Sequence, residues 1–117
     1  MESDKPVRRQ HARLTFTQAV PGAVTASHDV HVLDISQEGA RIEHTILLRP
    51  GGTCYLRLPL DQHVITANCR VVWSQAVGRA PHEQLGANLL YHSGLEFGTL
   101  TRDMRTVLEG YLQARGV

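Results

Sequence analysis

Val64-Ile65-Thr66-Ala67-Asn68-Cys69-Arg70-Val71-Val72-Trp73-Ser74 alternates in side-chain character along most of its length, and that period decides the fold class. Successive side chains of an extended chain point to opposite faces. Ile65, Ala67, Cys69, Val71 and Trp73 therefore share one face, with Thr66, Asn68 and Arg70 on the other. The pattern predicts a β-strand with one face on a core and the other in water. Trp73 falls in the apolar set, which predicts packing in the core or at a rim rather than a stacking platform.

The same period spreads outward from this strand. Upstream, Pro50-Gly51-Gly52 is a turn signal, after which Cys54, Leu56 and Leu58 alternate with Thr53, Tyr55 and Arg57. His28 to Ile35 is a β-branched alternating run, and Ala40 to Glu43 predicts a short strand after a turn at Gly39. Leu14 to Val20 predicts the first strand, with Pro21-Gly22 as the turn that ends it. Downstream, Gly78, Pro81 and Gly86 interrupt the segment from Ser74 to Ser93, predicting a long hairpin loop with a helical turn near Glu83 to Leu90. Leu95 and Phe97 return to strand alternation. Thr101 to Arg115 predicts a helix with Met104, Val107, Leu108, Tyr111 and Leu112 on one stripe, capped by Thr101, charged favourably by Asp103 and ended by Gly116. Short strands at regular intervals with one terminal helix indicate a mainly β protein, a small antiparallel barrel or sandwich flanked by the helix.

Length and composition bound what such a domain can do. At 117 residues the chain fits one domain, with residues 1–12 as a charged, aperiodic arm and 13–117 as the folded unit. A net charge of +1 gives weak long-range attraction to nucleic acid or an anionic membrane, and aromatic residues at 5% are too few for a base-stacking platform. A nucleic-acid function is therefore disfavoured. The polar start and the lack of any apolar run of about 18 residues predict a cytoplasmic protein without membrane insertion. Cys54 and Cys69 read as buried free thiols. His28-x-x-His31 puts its imidazoles on opposite faces of a strand and no Cys-x-x-Cys or His-Glu-x-x-His occurs, so no metal site is expected. There is no Gly-rich phosphate loop, Gly-x-Ser-x-Gly elbow or carboxylate pair with a nearby base, so no enzyme and no cofactor is expected.

Two polar clusters remain: Arg8-Arg9-Gln10-His11-Ala12-Arg13 and Asp34-Ile35-Ser36-Gln37-Glu38-Gly39. Arginine offers a planar fork of donors that suits phosphate and lies flat on π-systems, while Asp34 and Ser36 add acceptors. Guanine presents donors at N1 and N2 and acceptors at O6 and N7, so the two clusters together suit a small phosphorylated purine. Each cluster alone has a plainer explanation: a solvated basic tail, or a turn in which Asp34 and Ser36 bond neighbouring amides.

Arg9-x-x-x-Arg13 followed by Asp34-x-Ser36-x-x-Gly39 resembles the two-part signature of the PilZ domain, a bacterial receptor family for cyclic di-GMP. Val71-Val72-Trp73, Gly94-Leu95-Glu96-Phe97 and the closing helix extend the similarity over nearly the whole chain from about Lys5. The resemblance implies a six-stranded antiparallel split barrel with a C-terminal helix and a flexible N-terminal arm that folds over the ligand. It implies a ligand-binding set of Arg8, Arg9, Arg13, Asp34, Ser36 and Gly39. Arg9 and Arg13 would contact phosphate and stack on guanine, Asp34 would accept from guanine N1 and N2, and Ser36 would support a purine edge or phosphate. Gly39 would take positive φ or admit the ligand to the backbone. An arginine at Arg8 resembles members that take cyclic di-GMP as an intercalated dimer, two ligands per chain. With no output domain fused, the signal would pass to a separate downstream protein of motility, pili or exopolysaccharide control. The loop from Gly78 to His92, with Leu85, Leu89 and Leu90, is a candidate surface for it. The competing function is a structural or adaptor barrel that binds partners without ligand.

Overall fold

A computed structural model of the chain describes residues 12–25, 28–79 and 89–117. Among the described residues six strands, β1 (Leu14–Val24), β2 (His28–Ile35), β3 (Gly39–His44), β4 (Thr53–Leu60), β5 (His63–Arg79) and β6 (Leu89–Phe97), precede a C-terminal helix, α1 (Arg102–Ala114). All neighbours are antiparallel, in the closed order β1-β2-β3-β6-β5-β4. The ring closes through only two described pairs between β1 and β4, Ala23↔Arg57 and Val24↔Leu56.

The alternating side chains fill the ring. Val32, Ile42, Leu56, Leu58 and Ile65 point inward and are fully buried, and Ile65, Ala67, Cys69 and Val71 of β5 face the interior as their period predicts. Leu108 and Leu112 of α1 are buried against the same core. Burying each such leucine contributes about 1.5–3 kcal/mol. Thr101 Oγ1 accepts from Met104 N at 3.1 Å, the N-cap bond expected of it. At the other end Gly116 takes φ +80°, its N–H donates to Gln113 O, and Val117 N–H donates to Leu112 O. These two bonds form a Schellman motif, which stops the helix where the glycine predicts.

Three expectations need correction. Pro21-Gly22 does not turn the chain: β1 runs through it, with Pro21 opposite His31 and Gly22 opposite Val30. Pro21 is tolerated because pairing with β4 begins only at Ala23, so the ring at that point asks for no donor on a second side. A Cβ on Gly22 would lie 3.1 Å from Arg57 O, so this glycine serves the close approach of β1 to β4. The segment from Ser74 to Ser93 is mostly strand, since β5 continues to Arg79 and β6 starts at Leu89. Of the helical turn expected near Glu83 to Leu90, residues 83–88 lie outside the described residues, while Leu89 and Leu90 are in β6.

The face assigned to Trp73 is the third correction, while its packing at a rim, against Gly94, stands. The β5–β6 register passes from Val71↔Leu95 to Trp73↔Gly94, so Val72 is an extra residue on β5. One inserted residue reverses the alternation beyond it. Trp73 is thereby turned out of the core and left 39% exposed.

Candidate functional site

The β2–β3 turn is built before any ligand need be considered. Ser36 N donates to Gly39 O at 2.9 Å, and the buried Ser36 Oγ accepts from Glu38 N at 3.1 Å. Short side chains of this kind fix turns by replacing backbone acceptors. Phe97 N then donates to Glu38 O at 2.8 Å, tying the turn to the end of β6. Gly39 is required for a different reason from positive φ. A Cβ there would stand 1.9 Å from Leu95 O, so it is β6 of the same chain that comes against its backbone.

Asp34 sits one residue before the end of β2, paired with Thr15 of β1 and Arg41 of β3. It is only 5% exposed. A carboxylate buried so far needs opposite charge and hydrogen bonds, and two arginines supply both. Arg13 Nε donates to Oδ1 at 2.8 Å and Arg41 Nε donates to Oδ2 at 2.9 Å. Arg13 also reaches Ser36 Oγ through Nη1 at 3.3 Å. Arg13, Asp34, Ser36 and Arg41 thus form one connected group.

This group opens onto a cleft of about 480 Å³ whose walls include Arg13, Asp34, Arg41, Trp73, Gly94 and Glu96. The volume is of the size that holds a small organic ligand. On the far wall the Trp73 indole lies against the backbone at Gly94, where a Cβ would meet Nε1 at 2.3 Å. Arg70 holds Glu96 at the rim through Oε1 at 2.8 Å, an exposed pair of little energetic weight. The cleft combines two guanidinium groups, a shared carboxylate and one exposed aromatic face.

Four of the expected site residues, Arg13, Asp34, Ser36 and Gly39, come together at this turn. Arg8 and Arg9, with residues 1–11 of the expected arm, lie outside the described residues. Arg41 and Trp73 are additions that the sequence reading missed. Arg41 carried only a weak signal, as a cation two residues after Gly39 in a strand that also holds Glu43 and His44. Trp73 carried none in its own strand, because its outward turn depends on a bulge set by pairing with β6.

Beside the cleft, His44 Nδ1 bonds Ile46 O at 2.7 Å, its Nε2 bonds Ser93 Oγ at 2.6 Å, and Ser93 Oγ bonds Ser74 Oγ at 2.8 Å. A donating Nδ1–H to the carbonyl makes Nε2 the acceptor. Burial lowers the His44 pKa below 6.5, outweighing the Ile46 carbonyl, with repulsion from His92 adding to the shift. Among the described residues no group of three His, Cys, Asp or Glu is placed to hold a metal ion.

The closed six-stranded ring thus carries an arginine-lined cleft beside its β2–β3 turn. The chain belongs to the PilZ domain family, whose model matches residues 7–114. Among the solved structures of similar fold are two with PilZ-like barrels. One is the inhibitor of motility MotI/DgrA of Bacillus subtilis, at 16% identity and a TM-score of 0.70, covering 92% of this chain and 50% of that one. The chain thus spans about half the length of that protein. The other is the PilZ domain of YcgR from Escherichia coli, solved with c-di-GMP, at 12% identity and a TM-score of 0.63, covering 94% of this chain and 99% of that one. No curated protein matches the sequence. Among the described residues no helix is long and apolar enough to cross a membrane.

Proposed function

We propose that the chain is a non-enzymatic receptor for cyclic di-GMP and that the ligand occupies the cleft between the Arg13–Asp34–Arg41 group and Trp73. The observation that carries this is the pair of arginines converging on one buried carboxylate at 2.8 and 2.9 Å. Each guanidinium has five donors, so a bond from Nε to Asp34 fixes the fork and leaves Nη hydrogens, beyond the one Arg13 gives to Ser36, for phosphate or for the face of a purine. Charge-assisted bonds to phosphate are roughly twice as strong as neutral ones. Asp34 accepts from guanine N1 and N2 through lone pairs not used by the arginines, or by exchanging one of them for the base. The indole of Trp73 offers an apolar face on which a guanine can stack, at about 1–3 kcal/mol per base. Membership of the PilZ family and the ligand of the YcgR domain support the choice of cyclic di-GMP.

Arg8 and Arg9 act from the arm, residues 1–12, which orders over the bound ligand. Ordering costs entropy, so the closed state must gain contacts that the open state lacks. Arg8 adds a further cation, and two ligands bind per chain as an intercalated dimer. The closed arm and barrel then present a changed surface to a separate downstream protein, with no cofactor and no catalytic step. The chain has a single tryptophan, Trp73, whose fluorescence therefore reports on the cleft alone. Cyclic di-GMP is expected to quench it saturably, while single-stranded RNA and GTP at the same concentration leave it unchanged. Equal responses to all three would count against the assignment, and saturation at one ligand per chain would remove the dimer.

A further inference from the structure

The barrel interior holds a pair of thiols that the cleft does not use. Cys54 on β4 and Cys69 on β5 stand directly opposite each other in the antiparallel ladder. Both are free, face the core and are buried, at 7% and 2% exposure. We propose that Cys54 and Cys69 form a covalent modification site that takes hydrogen peroxide and closes to a reversible cross-strand disulfide.

The register sets the two residues face to face. Val71 N donates to Gly52 O at 2.8 Å, and the register runs from Thr53↔Arg70 to Leu60↔His63 without a break. Antiparallel pairs alternate between hydrogen-bonded and non-bonded classes, so Cys54 and Cys69, two steps on from Gly52 and Val71, belong to the hydrogen-bonded class. Its Cα atoms lie about 5.5 Å apart, which is the commonest separation across a disulfide, about 5.5–6 Å. Directly opposed Cβ atoms stand about 4.5–5.5 Å apart, at the wide end in this class, against about 3.5–4.5 Å across a disulfide, so closure draws the two strands together by about 1 Å and leaves a strained, readily reduced bond.

The two sulfurs also differ in a way that assigns their roles. The Cys69 S–H donates to Ala67 O at 3.6 Å within the core, whereas Cys54 stands at the start of its strand. The facing Cys69 lowers the Cys54 pKa against the opposing effect of burial, and the facing Cys54 together with burial raises that of Cys69. Cys54, nearer the strand end, is the nucleophile and Cys69 the resolving thiol. Access comes from the strand end, since Cys54 is the second residue of β4, just after Gly51-Gly52. Strand ends open at lower free energy than strand centres.

The steps balance. The Cys54 thiolate attacks one peroxide oxygen and the O–O bond breaks, leaving a sulfenic acid and a hydroxide that takes the proton Cys54 gave up, forming water. The Cys69 sulfur then attacks the sulfenic sulfur, the S–S bond forms, and the hydroxyl leaves with the Cys69 proton as a second water. The two sulfurs together lose two electrons, which reduce the peroxide.

The test uses the full reduced chain, a few equivalents of hydrogen peroxide, a catalase quench, and N-ethylmaleimide under denaturing conditions, read by mass spectrometry. The expected product has lost two hydrogens, carries no maleimide, yields a peptide linking Cys54 to Cys69, and is restored by dithiothreitol. Cys69→Ala is expected instead to accumulate a sulfenic acid at Cys54, trapped by dimedone, while Cys54→Ala leaves Cys69 unoxidised. Wild-type protein that carries maleimide at both cysteines after peroxide, or that stops at sulfinic acid, overturns the proposal. The wild-type measurement decides this by itself if either variant does not fold.

Discussion

Asp34 holds two guanidinium groups with one carboxylate, so its neighbours respond unequally to mutation. Asp34→Asn keeps the shape but leaves Arg13 and Arg41 without their charge partner. Hydrogen bonds to charged groups contribute about 1.5–3 kcal/mol each, and a Tm several degrees lower is expected by calorimetric unfolding together with weakened ligand binding. The Arg41 side chain is 40% exposed. Arg41→Ala leaves Arg13 to hold the carboxylate and should therefore cost less stability than Asp34→Asn, about 1.5–3 kcal/mol for the one bond lost, while cyclic di-GMP affinity falls about tenfold or more, the loss of one charge-assisted contact. A fall in stability without a fall in affinity would make Arg41 a structural residue only. Gly39→Ala acts through sterics, because its Cβ meets the Leu95 carbonyl. Overpacking of this kind costs about 1–3 kcal/mol or more, and thermal unfolding should show it with or without ligand.

At the scale of elements, β5 shows what the sequence carried and what it did not. Ile65 to Val71 alternate in register with the core, so their strand and face were legible from residue type alone. Trp73 was not, because the inserted Val72 is defined only by the partner strand. Pro21-Gly22 misled for a related reason: turn chemistry is local, whereas the tolerance of a proline depends on which neighbours a strand has. The candidate site divided in the same way. Arg13, Asp34, Ser36 and Gly39 stood out as a chemical pattern, while Arg41 joined them only through the β2–β3 register. Trp73→Ala is expected to weaken cyclic di-GMP binding by roughly tenfold or more, the worth of about 1–3 kcal/mol of base stacking, and calorimetry would check it. His44 ties β3 to β6, and through Ser93 to β5, in its neutral form. Its folded pKa lies below 6.5, so the unfolded chain binds the proton first as pH falls. The contribution is complete above the unfolded value and is lost as pH drops from there through the folded value. Tm should decline as pH falls below about 6.5, and less steeply in His44→Gln.

For the whole molecule, the closed ring and helix bury a continuous core and place the β2–β3 turn, Arg41 and Trp73 around one cleft. A wall fixed in this way needs little reorganisation on binding, which leaves the ligand's binding energy available for the proposed closure of the N-terminal segment and the change of surface shown to a partner. The most direct test is a calorimetric titration of cyclic di-GMP into wild type, Arg13→Ala and Asp34→Ala, each first shown to be folded. Saturable binding by wild type that weakens at least about tenfold in both variants is the expected result. No binding by wild type, or equal affinity in all three proteins, would contradict a receptor site at the Arg13–Asp34–Arg41 cleft.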